Sequence, residues 1–115
     1  MADVVYLVTD LLFTSKIRET AGQLGLSAAR AASPEALAEG AQGAAIAIVD
    51  LRLPGAIQAL ALLEAAGPGA RRIGFVDHER ADVMDAARGA GCHIVLAKGA
   101  FSKQLPELLS EARRG

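Results

Sequence analysis

AAIAIVDLRLPG, from Ala44 to Gly55, is an apolar run that ends in Asp50 and is followed by a Leu-Arg-Leu-Pro-Gly turn. A short apolar run bounded by turn formers reads as a strand buried on both faces, as in a parallel sheet. In an open α/β sheet, ligands bind just outside the carboxyl ends of the strands. Asp50 follows a β-branched residue at such an end, so it is positioned for chemistry rather than for packing.

On either side, short apolar segments alternate with segments of helical period, the βα pattern of a parallel sheet. Val4 to Val8 reads as the first strand. Thr14 to Leu24 reads as the first helix, with Ile17, Ala21 and Leu24 at helical spacing and Gly25 as its stop. Leu26 to Ala31 is a weaker second strand, and Ser33-Pro34 caps and begins a short Ala-rich helix. Ala45 to Val49 is the third strand, and Ile57 to Ala66 an apolar helix closed by Gly67-Pro68-Gly69. Arg72 to Val76 is the fourth strand, and Ala81 to Arg88 a helix ending near Gly89 and Gly91. His93 to Ala97 is the fifth strand. Gln104 to Arg113 is the terminal helix, where Arg113 and Arg114 suit the helix dipole.

Five such units without a linker or a low-complexity tract predict one domain over residues 1–115, standing alone without an output domain. Hydrophobic residues make up 52% of the chain and aromatic residues only 3%, so the core is built from Ala, Val, Leu and Ile. A net charge of −1 gives no argument for binding nucleic acid or an anionic membrane, and Lys98, Lys103, Arg113 and Arg114 form no basic stripe. The lone Cys92 excludes an intrachain disulfide, and two scattered histidines make no Cys/His metal site. With no transmembrane run and no signal-peptide pattern, a soluble cytoplasmic protein is the default expectation.

Right-handed crossovers predict a flavodoxin-like α/β fold: a three-layer sandwich with a parallel sheet in the order 2-1-3-4-5 and five helices. The switch point then lies between the first and third strands, and the strand ends converge there. Thr9 and Asp10 follow the first strand, Asp50 ends the third, Val76 and Asp77 end the fourth, and Lys98 ends the fifth. Carboxylates with an ammonium at one rim suit Mg²⁺ and a phosphoryl group. An aspartate can attack phosphorus to give an acyl phosphate, with lysine and metal neutralising the transferring oxygens. Each residue also has a plain structural reading: Asp10 as a helix N-cap, Asp50 as the cap of its turn, Lys98 as a solvated strand-end lysine. Asp77-His78-Glu79-Arg80 reads as a solvated loop with Asp77 capping the fourth helix, or, with His78, as a ligand or acid/base group. Arg71-Arg72 reads as an exposed strand entrance, and Cys92 as a packed thiol.

At these residues the chain resembles the receiver domains of bacterial two-component response regulators, over essentially its whole length. VDLRLPG is similar to the segment around the family's phosphoacceptor aspartate, at Asp50. AARGAGCHIVLAKGAF is similar to the fourth helix and fifth strand, ending in the family's lysine at Lys98. Thr9-Asp10 stands where the family carries adjacent acids. The resemblance implies Asp50 as phosphoacceptor, Lys98 as phosphoryl contact, and Asp10 with Asp50 as Mg²⁺ ligands. Departures from the pattern bear on the same site. Thr9 removes one acid and weakens the expected metal binding. Val76 falls at the switch hydroxyl and has no donor. Val95 falls at the switch aromatic, so both coupling positions are apolar and rotamer-stiff. Gly99 replaces the family's usual cis-proline, which predicts a reshaped loop into the last helix.

The expectation is an atypical receiver-like signalling domain, not an enzyme beyond self-phosphorylation and dephosphorylation at Asp50. It acts by contact with a histidine kinase, a phosphotransfer protein or a target protein through the fourth helix, fifth strand and fifth helix. The alternative is a phosphorylation-competent single-domain receiver or relay intermediate using Mg²⁺. A small ligand-binding or enzymatic flavodoxin-like domain is the weakest alternative. The first strand is followed by no Gly-rich phosphate loop, and Asp50 has no partnering base.

Overall fold

The computed structural model describes residues 2–67 and 69–114, so Pro68 of the Gly67-Pro68-Gly69 closure and the Arg114 side chain lie outside it. The strands are β1 (Val4–Leu7), β2 (Ala28–Arg30), β3 (Ile46–Asp50), β4 (Arg71–Val76) and β5 (Ile94–Ala97). The helices are α1 (Leu11–Gln23), α2 (Pro34–Ala41), α3 (Ala56–Ala65), α4 (Ala81–Gly89) and α5 (Lys98–Arg114). All neighbouring strands pair in parallel, in the order β2-β1-β3-β4-β5. This is the flavodoxin-like order, with β1 beside β3 at the switch point.

The period of two along each strand sorts its side chains into two cores. Val4, Tyr6, Ile46, Ile48, Ile73 and Phe75 face α1 and α5, whose Ile17, Phe101 and Leu105 complete one cluster. Val5, Leu7, Ala47, Val49 and Val76 face the opposite side, against Leu37 of α2, Leu60 of α3 and Ala87 of α4. Helices on both faces make β3 buried throughout, which explains its unbroken apolar run.

Two helices begin earlier than their apolar period suggests. Asp10 Oδ1 accepts from the backbone N–H groups of Leu12 and Phe13, so α1 starts at Leu11 rather than near Thr14. At the other end of the chain, β5 runs directly into α5, and Lys98 is the first residue of that helix rather than the end of a strand. The expected loop before Gln104 is absent. Pro106 lies inside α5, where it removes one helical hydrogen bond. Phe101, Leu105 and Leu109 are fully buried along one stripe, and that burial outweighs the lost bond.

Arg72 also departs from its expected exposure. It is 6% exposed, and its guanidinium donates to the Glu64 carboxylate and to the carbonyls of Gly91 and Leu63. The pleat turns Arg72 toward the end of α3, where helical carbonyls lack intrahelical donors. Arg71, on the opposite face, is exposed and pairs with Glu111 at 3.0 Å.

Gly74 makes room for the turn after β3. A Cβ there would stand 2.9 Å from Leu51 Cδ1 and 3.2 Å from Cys92 Sγ. Leu51 is buried, so its side chain has little room to give way. Gly74→Ala is therefore expected to destabilise the fold by about 1–3 kcal/mol through overpacking, read as a lower urea midpoint with an unchanged slope.

Candidate functional site

Asp50 ends β3 at the carboxyl edge of the sheet and is 2% exposed. A carboxylate so far from water needs donors, and its own turn provides them. Oδ1 accepts from the Arg52 backbone N–H at 3.0 Å, folding the chain back in an Asx turn. The Arg52 side chain then returns over the same carboxylate, with Nε 2.9 Å from Oδ1 and Nη2 2.9 Å from Oδ2. This is a two-point guanidinium–carboxylate fork, stronger and more directional than a single contact.

The same Nη2 lies 3.2 Å from Asp10 Oδ2, so one guanidinium joins the ends of β1 and β3. Beneath it, the guanidinium carbon is 5.4 Å from the centre of the Phe13 ring and 5.6 Å from that of Phe75. Phe75 stacks on Phe101 at 4.4 Å between ring centres and lies 4.6 Å from Phe13. An aromatic floor under a cation is attractive in its own right. Asp50 and Asp10 together raise the pKa of Arg52, Asp50 more strongly. The carboxyl of Asp10 is held below its ordinary value, first by the Phe13 N–H and further by Arg52.

Lys98 is turned elsewhere. Its Nζ lies 2.8 Å from Asp77 Oδ1, and no ion pair or hydrogen bond joins it to Asp50 among the described residues. That Asp77 oxygen is shielded from solvent and makes no directional hydrogen bond, so the contact is one of charge. Asp77 does not cap α4. Arg80 occupies the cap position and donates its backbone N–H to the Asp77 carbonyl in a turn. His78 pairs with Glu79 at 3.1 Å, both largely exposed. Thr9 is exposed. Val76 is buried and Val95 half-buried in the same core cluster, with no hydroxyl or aromatic group at either position. Burial pushes the Cys92 thiol up to about 11, the opposite of an activated nucleophile.

The structure thus brings Asp10 and Asp50 together and leaves Lys98 on a separate acid. Arg52 and the phenylalanine stack are the parts that the sequence reading passed over. The available signal was the basic side chain two residues after the strand-end carboxylate, within reach of it across a tight turn.

Mg²⁺ demands near-octahedral oxygen ligands at short range. Here Asp10 Oδ1 caps α1, and the other three carboxylate oxygens of Asp10 and Asp50 hold Arg52. Among the described residues, no group of three or more His, Cys, Asp or Glu side chains is placed to hold a metal ion. As arranged, the pocket does not fit the Mg²⁺ that the receiver resemblance implies.

No protein-family model and no curated protein matches the sequence. Solved structures do match in fold. The BeF₃-activated DrrB receiver domain superposes with a TM-score of 0.80 at 14% identity, over 100% of this chain and 99% of that one. The signal receiver domain of NarL, from Mycobacterium tuberculosis, gives 0.78 at 20% identity, over 99% and 97%. A pilus-assembly-related protein from Burkholderia pseudomallei gives 0.73 at 16% identity, over 99% and 90%. The chain therefore has the receiver-domain fold.

A titration separates the two acids of the rim. Lys98 holds the Asp77 carboxyl below its ordinary value of 3.8. A depressed carboxylate pKa stabilises the fold above the ordinary value, and that contribution is lost as pH falls through the folded value. In carboxyl-carbon NMR titrations, Lys98→Met should raise the midpoint of Asp77 and leave that of Asp10 unchanged. Equal movement of both would mean that Lys98 belongs to the Asp50 cluster.

Proposed function

We propose that the protein is a receiver-like signalling domain whose Asp50 carboxylate is held by an internal counter-ion and which acts mainly by protein contact. The observation that carries this reading is the Arg52 fork across Asp50 and Asp10, which occupies the space a phosphoryl group and its metal would need. Two apolar side chains, Val76 and Val95, support it further. Neither can hydrogen-bond a phosphoryl oxygen or swing as an aromatic reporter.

The proposed contact surface is formed by α4, β5 and α5, where a kinase, phosphotransfer protein or target would dock. β5 is an edge strand with half-buried side chains, and Ala87 is the buried residue of α4. This leaves much of that face without a partner inside the chain. The fold gives the same edge to neighbouring structures, but a fold alone does not carry a function.

A second reading has its own observation. Asp50 stands at the end of a central strand with Asp10 beside it, the pair an acyl-phosphate chemistry would use. In that case the Asp50 carboxylate oxygen attacks phosphorus of a phosphodonor, the donor's leaving group departs, and Arg52 must swing from carboxylate to phosphoryl oxygens.

Incubation with Mg²⁺ and a small phosphodonor, followed by intact-mass measurement, distinguishes the readings. The internally paired site predicts no phosphate adduct on the wild type, and the same amide spectrum for treated and untreated protein. An adduct abolished by Asp50→Asn, with amide shifts spreading to Val95, would establish the phosphorylated receiver instead.

A further inference from the structure

We infer that the Arg52 guanidinium is the resident cation of this pocket, and that it keeps the Asp10–Asp50 pair closed to divalent metal. The inference concerns the pocket of the functional reading but needs no phosphoryl transfer, and metal is tested without a phosphodonor.

A pair of carboxylates at one rim ordinarily invites a cation. Here the invitation is already answered by covalently attached charge. Nε and Nη2 of Arg52 lie 2.9 Å from the two Asp50 oxygens, and Nη2 lies 3.2 Å from Asp10 Oδ2. The fourth oxygen, Asp10 Oδ1, is committed to the first turn of α1. A metal entering this site would have to displace the Arg52 contacts or leave the guanidinium facing it as a like charge.

Several features make Arg52 a fixture rather than a passing surface contact. Exposed ion pairs contribute little because water competes for both partners. The Asp50 side chain is only 3% exposed, so water does not compete there. The guanidinium is planar and matches a carboxylate at two points, which a spherical ammonium cannot do. Its face rests over Phe13 and Phe75. Its backbone N–H is bound to the same Asp50 oxygen as its Nε, so the main chain and side chain of one residue converge on one carboxylate.

Charge also separates guanidinium from metal. The Asp10–Asp50 pair carries two negative charges and Arg52 returns one, so the cluster keeps one net negative charge, and with the uncharged Thr9 in place of a further acid it is no more negative than that. A guanidinium bridges the two carboxylates through directional N–H donors and offers no coordination position. Removing it would leave a buried Asp50 carboxylate with its neighbour Asp10 and no counter-ion, the condition under which a divalent cation binds.

Metal binding of the wild type, Arg52→Met and Arg52→Met/Asp50→Asn tests this by Mg²⁺ calorimetry and by Mn²⁺ broadening of amide resonances. The wild type should show no saturable Mg²⁺ binding and no broadening centred on Asp10 and Asp50. Arg52→Met should bind at least tenfold more tightly, with broadening at those residues that Asp50→Asn abolishes. Its melting temperature should rise with Mg²⁺ while that of the wild type does not. Wild-type binding as tight as that of Arg52→Met would overturn the inference, as would a folded Arg52→Met that gains no affinity. Should Arg52→Met fail to fold without metal, the uncharged Arg52→Gln is read in the same way: a gain in Mg²⁺ affinity supports the inference, and no gain overturns it.

Discussion

A carboxylate with almost no access to water, at the end of a central strand, sets the order of everything around it. Withdrawing such a charge from solvent costs on the order of several kcal/mol unless donors replace the lost hydration. Arg52 supplies those donors from two residues away, through its main chain and its side chain together. The counter-ion is local, so this pairing lies within a single tight turn. The rest of the rim is arranged around the result. Asp10 turns its free oxygen to the same guanidinium, the phenylalanines lie under it, and Lys98 is left to pair with Asp77.

A second arginine shows why burial alone does not mark a functional group. Arg72 is, after Asp50, the other charged side chain buried among the described residues, and it lies at the opposite edge of the sheet. Its donors go to the carbonyls of Leu63 and Gly91 and to Glu64, so it closes the end of α3 onto the turn before β5. Those are structural acceptors, with no second acid from another strand. Arg52 instead joins acids from two strands at the switch point of the sheet, the place where α/β folds bind ligands. Location relative to the strand ends, not depth, separates the two.

Much of the fold was legible because β3 is an unbroken apolar run between turn formers, α3 is an apolar segment closed by glycines, and the last helix carries an apolar stripe. The strand order followed from the number of βα units and the hand of their crossovers. Element ends were less legible. Asp10 was visible as a capping residue, but the apolar period of α1 starts only after exposed Leu11 and Leu12, which have no pattern to offer. The last helix reads in the sequence as starting at Gln104, whereas packing of Phe101 carries it back to Lys98. At the site, Asp50 and Asp10 were legible as strand-end acids. Arg52 was not, because a basic residue in a turn ordinarily faces solvent. The pairing of Lys98 with Asp77 depended on how the whole of α5 sits against β4, which no local pattern records.

The phenylalanine stack has one more consequence. All 3 phenylalanines of the chain are in it, tryptophan is absent, and the single tyrosine lies in β1 with its hydroxyl accepting from Arg18. The near-ultraviolet spectrum of this protein is therefore divided by location. The vibronic fine structure of phenylalanine arises only from the floor of the Asp50 pocket, and the tyrosine band only from the first strand. A sequence poor in aromatic residues has placed all its phenylalanines in one stack, so that their fine structure reports on the floor beneath the arginine.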